Sequence, residues 1–469
     1  MALQFRSRSV SRAGFILCLS SALAAADFSV SVSTFPASGV LAKEPSHTSI
    51  SNYGYKPLVL LNANPDNGYD VAWHLSGTSK IRIQPFDSAG KSLPGIQPDS
   101  IVGAKNLVGL TRIADDNGFA IGYAKDSPHS GSAYEFWVTR VDGAGQKVFT
   151  KMIFGDMKSN VFNSKGEPGT FSSGRMIFNK ASKKIALYVG HTMAWSPDTV
   201  RHQAGYLAFM GLDGAFAAVN DWYSSHNFDQ RIFLVGTDYY TLAHGDAYPR
   251  ALGFAKWTDA GAKGSQVWDK QFFKIPGAVG DNKTSTQLGN AIPFADGTFG
   301  VVFTTANGRE GWDVAYRQIS AKGDTLPLKW ITAYPKGTQA IYPKIAKHGD
   351  DALLMWEEIV GTANGGIQLA ILSPAGTVVT AKTALADKAI RLSPYYDLAT
   401  LPNGKILWAN QKGTDSISVF KLVETGSPVR GRLARGSGAT RPGTAAKAGV
   451  DSKGRKAARL RTGTPIYFR

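Results

Sequence analysis

Residues 116–124 read DNGFAIGYA, a tight turn followed by a run of small, β-branched and aromatic residues. An Asn-Gly pair between β-forming runs is among the strongest short-range signals for a β-hairpin, because both central residues of its turn need positive φ. The apolar run ends at a polar side chain, Lys125. This stretch therefore predicts a tight turn that leads into the second strand of a hairpin.

The same unit of turn and strand recurs along the chain at intervals of about 50 to 65 residues. In every unit but the last, a variable loop and a third strand follow, and then a second turn that contains glycine. The first turn lies at 66–68, 116–118, 182–184, 236–238, 296–297, 349–351 and 403–404, and the second at 87–90, 142–145, 213–214, 259–261, 320–323 and 373–376. Seven units of several strands each, with paired turns in a fixed order, are typical of a β-propeller.

We therefore predict an all-β fold, a seven-bladed β-propeller with four-stranded blades over residues 51–424. A pair of β-sandwiches is the alternative, since sandwiches also contain short strands and regular turns. Residues 28–32 alternate apolar and polar side chains and precede a linker that extends to residue 50. Because the last unit lacks its second turn, we expect this N-terminal strand to complete the seventh blade and close the ring. Such a closed ring is expected to be a monomer.

Residues 1–26 have the features of a secretory signal peptide. Three arginines precede an apolar run at 13–23, and three alanines at 24–26 offer a cleavage site. The run is shorter than the roughly 20 residues that a membrane-spanning helix needs. The only cysteine, Cys18, lies in this segment, so we expect neither disulfides nor thiol chemistry in the exported chain. The predicted location is secreted, periplasmic or in the cell envelope.

The formal net charge of +17 is unevenly distributed. Residues 425–469 carry +10 and the leader +3, which leaves +4 for residues 27–424. The tail is rich in Gly, Ala, Pro, Arg and Lys without apolar periodicity, and this composition predicts disorder. A nearly balanced folded part argues against a specific nucleic-acid partner. The basic tail is a candidate for contact with an anionic wall polymer or a membrane surface.

The segment 191–250 is the densest in polar residues and holds four of the eight histidines. It supplies the candidate binding residues His191, His202, His226, Asp229, Gln230, Arg231, His244, Asp246, Tyr248 and Arg250. In a propeller the first strand of each blade starts, and the second ends, on one face of the disc. Predicted second-strand ends add His74 and Glu357 to the candidates and also place on this face Lys125, Thr305, Glu358 and Asn410.

Predicted first-strand starts contribute further residues to the same face, namely Tyr53, Arg175, Gln287, Asn290, Tyr342, Lys344, Tyr395, Tyr396 and Asp397. One face is therefore expected to carry imidazoles, carboxylates, amides and aromatic rings, as ligand-binding mouths do.

Three interpretations of the segment 191–250 stay open. One is a divalent metal site, although no spacing matches a known metal motif, with the candidate ligands His226, His244, Asp229 and Asp246. Another is general acid and base catalysis on a polysaccharide, in which an arginine binds a substrate carboxylate. In the third, the polar groups join neighbouring blades by satisfying backbone donors and acceptors. Apart from the metal, no cofactor is implied.

The sequence contains no Gly-x-Ser-x-Gly elbow, no His-Glu-x-x-His motif, no phosphate loop and no dinucleotide fingerprint. The repeats resemble a kelch-like seven-bladed propeller, although the Gly-Gly doublet typical of kelch blades is missing. The block that comprises 202–203, 225–231 and 244–250 resembles segments of secreted bacterial propeller-like proteins without an established activity. These resemblances imply a fold and bring no function.

These features favour an exported propeller that binds a glycan or another surface macromolecule through the predicted face. A polysaccharide hydrolase or lyase that uses a His/Asp/Arg cluster on this face is one alternative. A protein-interaction scaffold is the other.

Overall fold

The computed structural model describes residues 27–41, 59–75, 78, 80–96, 101–126, 134–154, 174–193, 202–247, 249–278, 281, 284–393 and 396–425. Every regular element within these ranges is a β-strand, so the prediction of an all-β fold is confirmed. The described part contains no helix long and apolar enough to cross a membrane. The predicted signal peptide and the basic tail beyond residue 425 lie outside the described residues.

The strands form seven antiparallel sheets, here called blades 1 to 7 in chain order. In blades 2 to 6 the strands follow the chain from the inner to the outer edge. Blade 2 contains β5 (Ala104–Ile113), β6 (Gly118–Asp126), β7 (Tyr134–Val141) and β8 (Lys147–Phe154). Blade 3 contains β9 (Gly174–Asn179), β10 (Lys184–Met193), β11 (His202–Gly211) and β12 (Phe216–Ser225). Blade 4 contains β13 (Asn227–Val235), β14 (Asp238–Gly245), β15 (Ala251–Thr258) and β16 (Ser265–Lys274).

Blades 5 and 6 have the same order. Blade 5 contains β17 (Thr286–Pro293), β18 (Phe299–Thr305), β19 (Asp313–Ile319) and β20 (Lys329–Trp330). Blade 6 contains β21 (Thr338–His348), β22 (Asp351–Val360), β23 (Ala363–Leu372) and β24 (Val378–Ala384). Blade 1 has three strands, β2 (Val59–Ala63), β3 (Tyr69–His74) and β4 (Ile81–Phe86). Two isolated bridges, from Ser92 to Phe86 and from Ile96 to Ile83, hold a segment where the fourth strand of blade 1 would lie.

Blade 7 joins the two ends of the described chain. It contains β25 (Ala399–Thr400), β26 (Ile406–Lys412), β27 (Ser416–Glu424) and, on its outer edge, β1 (Phe28–Pro36). β1 and β27 are paired over their full lengths, from Phe28 opposite Glu424 to Pro36 opposite Ser416. The expectation that the N-terminal strand completes the seventh blade is therefore confirmed.

The predicted turns are present, but their backbone geometry differs from the expected one. In each first turn one residue has a φ between 55° and 82°, for example Asn67, Asn117 and Gly297. We expected two consecutive residues with positive φ, which is wrong for the Asn-Gly turns. Gly68 is required there by space, since a Cβ atom at this position would lie 2.5 Å from the carbonyl oxygen of Phe86. The glycine lets the first turn pack against the end of the third strand.

The core lies between the blades. Seven buried apolar clusters occur among the described residues, one for each pair of neighbouring blades, including blades 7 and 1. Both faces of a middle strand are therefore covered, which explains why the second strands are continuously apolar rather than alternating. In β18, for instance, all seven residues are buried. The inner strands β2, β5, β9, β13, β17, β21 and β25 contact one another in this order, and β25 contacts β2, so they enclose a central channel.

Candidate binding site in the central channel

Charged side chains from blades 3, 4 and 7 meet in the centre of the ring. Arg231 of β13 forms an ion pair through Nη1 with Oδ1 of Asp397, which shortly precedes β25. Arg175 of β9 binds the other oxygen of this carboxylate, with Nε at 3.3 Å from Oδ2. Since blade 4 and blade 7 are not neighbours in the ring, these side chains reach each other across the central channel.

Asp229 completes the surroundings of Arg231. The guanidinium group binds this carboxylate with two nitrogens, Nε at 3.1 Å from Oδ1 and Nη2 at 2.8 Å from Oδ2. Nη2 also donates a hydrogen bond to the carbonyl oxygen of Leu288 in blade 5, at 3.0 Å. Burial alone would raise the pKa of Asp397, but Arg231 and the other nearby cations hold it below its ordinary value. Asp397 is therefore ionised at neutral pH.

Three inner strands are irregular where they border this network. The β-ladders of β13, β17 and β21 shift register between Asn227 and Gln230, between Leu288 and Ala291, and between Ile341 and Lys344. A bulge turns the following side chains relative to the regular alternation of a strand. In β21 the residue in the bulge, Tyr342, has a φ of 54°. The bulges lie on three consecutive blades, next to the residues that form or bound the network.

Lys344 follows the bulge of β21 and differs from the two arginines. Its side chain is buried with 2% exposure, and no hydrogen bond or ion pair joins it to any residue that the structure describes. Its pKa is lowered to about 7, mainly by burial and in addition by the positive charge of Arg231. The acidic groups Asp397 and Asp229 act in the opposite direction. Lys344 thus places an amine beside a network of paired charges, and none of the described residues pairs with it.

Tyr396 lies beside the network and belongs to the buried core between blades 1 and 2, with 9% exposure. The guanidinium carbon of Arg175 lies 4.5 Å from the centre of its ring, and its hydroxyl donates a hydrogen bond of 3.4 Å to Oδ1 of Asn62 in blade 1. Gln287 of blade 5 accepts a hydrogen bond of 2.8 Å from the backbone N–H of Tyr342. Polar and aromatic residues of blades 1 and 3 to 7 therefore contribute to one channel wall.

The opposite end of the channel widens into a cavity of about 590 Å³. The ends of the inner strands of blades 1 to 4 line it, with Asn62, Arg112, Met176, Ile177, Asn179 and Leu234 among the lining residues. Arg112 Nη1 lies 3.4 Å from Oδ1 of Asp70. Burial raises the pKa of Asp70 to about 6, although Arg112 acts against this shift. This second mouth is more apolar than the network around Arg231.

Of the candidate binding residues predicted from the sequence, Asp229 and Arg231 belong to the channel network. Gln230 lies between them in β13, at the register shift of this strand. It is fully buried, and its Nε2 donates a hydrogen bond of 2.7 Å to the carbonyl oxygen of Asn227.

Four other candidates lie around the start of blade 4. Nε2 of His244 is 3.0 Å from Oγ1 of Thr284, and burial lowers the pKa of His244 to about 4. The backbone N–H of Asp246 donates to the carbonyl oxygen of His226 at 3.2 Å. Arg250 donates its hydrogen bonds to the backbone carbonyl oxygens of Asp246, Pro276 and Asp281. These contacts connect blade 4 with the segment that leads into blade 5.

His191 lies inside an aromatic group formed by blades 2 and 3. Its ring centre is 5.4 Å from that of Phe154, 5.6 Å from Tyr206 and 6.0 Å from Trp222. Burial lowers its pKa to about 4, so the imidazole is neutral at physiological pH. Tyr248 and the side chain of His202 lie outside the described part of the structure.

His74 and Glu357 connect neighbouring blades. Nε2 of His74 is 3.0 Å from the carbonyl oxygen of Ala104, which begins blade 2. Glu357 is fully buried and accepts hydrogen bonds from Arg391 and from the backbone N–H of Leu392, the latter at 2.6 Å. With His244, these residues show a recurrent arrangement, in which a polar side chain near the end of a second strand contacts the segment entering the next blade.

The predicted metal ligands are not gathered into one group. Asp229 pairs with Arg231, and His244 is bonded to Thr284. Among the described residues no three His, Cys, Asp or Glu side chains are placed so that they could share a metal ion. The metal interpretation stays a prediction.

The set of candidate binding residues omits four residues of the channel site. The sequence places these four residues on the predicted face, at the starts of first strands, namely Arg175, Lys344, Tyr396 and Asp397. Most of the candidate binding residues, however, come from the segment 191–250. The sequence signal for these four residues is their predicted position near the start of a first strand.

Comparisons with known proteins find similarity only among solved structures. No family model and no curated protein matches this chain. Among solved structures, hydrazine synthase from Kuenenia stuttgartiensis is similar over 78% of this chain and 95% of its own, with a TM-score of 0.46 and 10% identity. The α-L-arabinofuranosidase of Fusarium graminearum covers 68% of this chain and 94% of its own (TM-score 0.37, 12% identity). The NanB sialidase of Streptococcus pneumoniae is similar over 82% of this chain and 70% of its own (TM-score 0.38, 10% identity).

Proposed function

We propose that this chain is an exported propeller that binds a glycan, or another surface macromolecule, at the centre of its ring. The observation that carries this proposal is the network formed by Arg175, Asp229, Arg231 and Asp397, which joins blades 3, 4 and 7 across the channel. Such a network fixes planar hydrogen-bonding groups in rigid positions. Fixed polar groups beside an aromatic ring are the features by which concave sites recognise polar ligands.

The state of the carboxylates favours binding over glycoside hydrolysis. A hydrolase needs one carboxyl group that carries a proton at the working pH and a second that is ionised. Asp397 is held ionised by Arg231 and Arg175, and Asp229 is bound by two nitrogens of Arg231. Both carboxylates are therefore paired with guanidinium groups, and neither is arranged as a general acid.

The aromatic ring of Tyr396, which lies beside the network, supports a sugar as the ligand class. Tyr396 is held between Arg175, which stacks on its ring, and Asn62, which accepts a hydrogen bond from its hydroxyl group. A ring fixed on both sides loses little conformational entropy when a ligand contacts it. The predicted leader would deliver the protein to the cell envelope, where polysaccharides are abundant, and the basic tail would add contacts with anionic polymer.

The proposal is tested by measuring binding of the purified full chain to a panel of oligosaccharides by calorimetry. The measurements are made in about 0.5 M salt, so that attraction between the basic tail and an anionic ligand is largely screened. Arg175→Gln removes one side of the network and is expected to weaken binding at least about tenfold, as loss of a charged hydrogen bond would. Lys147→Gln on the exposed edge of blade 2 is the matched control and should bind like the wild type.

Two results would contradict the proposal. One is equal affinity of Arg175→Gln and the wild type while both are folded, which would place the ligand elsewhere. The other is release of reducing ends or unsaturated products during incubation with a bound oligosaccharide, which would favour the hydrolase or lyase.

A further inference from the structure

We infer that Lys344 binds a carboxylate group of the ligand, so that the glycans preferred by this protein contain uronic acids. This inference rests on the proposed function and specifies the ligand's chemistry. It follows from the division of charges in the channel, from the position of Lys344 after a bulge, and from the absence of a protein partner for its amine among the described residues.

The two carboxylates of the channel are already used by the two arginines. All three nitrogens of the Arg231 guanidinium group bind protein oxygens, on Asp229, Asp397 and Leu288. Arg175 binds the remaining oxygen of Asp397 and donates a hydrogen bond of 2.8 Å to the carbonyl oxygen of Gly174. Arg231 therefore has little capacity left for a ligand, whereas no residue in the described part of the chain uses a donor of the Lys344 amine.

When Lys344 is protonated, the five ionisable groups carry one positive charge more than they carry negative charges. Arg175, Arg231 and Lys344 stand against Asp229 and Asp397, and the electrostatic influence of all four neighbours reaches Lys344. A buried cation without a partner is unfavourable, and such groups normally occur in proteins with a counterion or a functional role. A ligand group with a single negative charge would balance this set, and a carboxylate has this charge.

The local backbone supports a site built around Lys344. The register shift between Ile341 and Lys344 and the positive φ of Tyr342 impose an irregular course on β21. Gln287 of the neighbouring blade holds this course by accepting the N–H of Tyr342. Irregular backbone that a neighbouring side chain stabilises is common beside functional sites.

The experiment compares three ligands of equal length, an oligogalacturonate, its methyl ester and the neutral oligogalactoside, on the full chain in about 0.5 M salt. The wild type is expected to bind the acid at least about tenfold more tightly than the ester, which corresponds to one charge-assisted hydrogen bond. Lys344→Met and Lys344→Gln should remove this difference while they retain the affinity for the neutral ligand. Lys147→Gln serves as the control and should keep the preference for the acid.

The outcomes separate the inference from the proposed function. If the acid and the ester bind the wild type equally, or if both Lys344 variants keep the preference for the acid, the inference is wrong and the glycan-binding proposal stands. If none of the three ligands nor any other oligosaccharide of the panel binds, the proposed function itself fails. A sulfated oligosaccharide that binds more tightly than the galacturonate would also overturn the assignment to carboxylates.

Discussion

Arg231 and Asp397 are bonded across the centre of the ring although 166 residues separate them in the sequence. The pair therefore contributes to two properties at once, since it places the guanidinium group in the channel and connects blade 4 with blade 7. Removal of one partner from a buried ion pair leaves an uncompensated charge, which is strongly destabilising.

Asp397→Asn should lower the free energy of unfolding by about 3 kcal/mol, because both Arg231 and Arg175 lose their shared counterion. Urea denaturation followed by fluorescence would measure the change. Asp238→Asn, in the more exposed pair with Lys256, is the control and should change stability by less than about 1 kcal/mol. Equal effects of the two substitutions would show that the central ion pair stabilises the fold no more than the exposed pair does.

Lys344 should make the stability depend on pH above neutrality. Its pKa is about 7 in the folded protein, where Arg175, Arg231, Asp229 and Asp397 face it, against an ordinary value of 10.5. Between these values the unfolded chain binds a proton that the folded chain does not, so stability rises with pH, by up to about 1.4 kcal/mol per pH unit. Unfolding free energies of the wild type and Lys344→Met from pH 6 to 9 test this. If their difference is constant over this range, the pKa of Lys344 is not lowered.

Phe35→Ala should loosen the closure of the ring. The aromatic ring of Phe35 in β1 lies 5.7 Å from Trp73 and 5.3 Å from Phe86, both in blade 1. Loss of these contacts is expected to lower the free energy of unfolding by about 2 to 3 kcal/mol and to speed proteolysis near the N-terminus. Val32→Ala, on the same strand but 47% exposed, is the control. Comparable effects of both substitutions would mean that β1 is held by backbone pairing alone.

Glu357→Gln should affect stability and leave binding unchanged. Its carboxylate is fully buried and holds Arg391 and the N–H of Leu392 between blades 6 and 7. We expect a loss of about 2 kcal/mol, because the amide still accepts the backbone hydrogen bond but no longer pairs with the arginine. Glu358→Gln, whose pair with Lys382 is more exposed, should lose less. If the Glu357→Gln variant is folded and its affinity changes by more than about threefold, the result would support the prediction from the sequence that Glu357 binds the ligand.

The ring architecture was predictable because it depends on local signals. The turn residues, the continuous apolar second strands and the lone N-terminal strand each reflect a constraint that acts within one repeat or at its ends. The channel network was harder to predict from the sequence. The orientation of Lys344 depends on the bulge at Tyr342 and on side chains from other blades. The histidines were hard to interpret for a different reason. The side chains of His74 and His244 have the same chemistry whether they bind a ligand or join two blades.

The pairing of Phe28 with Glu424 also imposes an order on folding. The residues of β1 leave the ribosome, and would cross a membrane, long before their partner strand exists. They must remain unpaired while blades 1 to 6 assemble from contacts that are close in sequence, and closing so long a loop carries the largest entropic penalty in the molecule. We therefore expect the seventh blade to form last, and a slow final phase in refolding that a synthetic β1 peptide would inhibit by occupying β27 first.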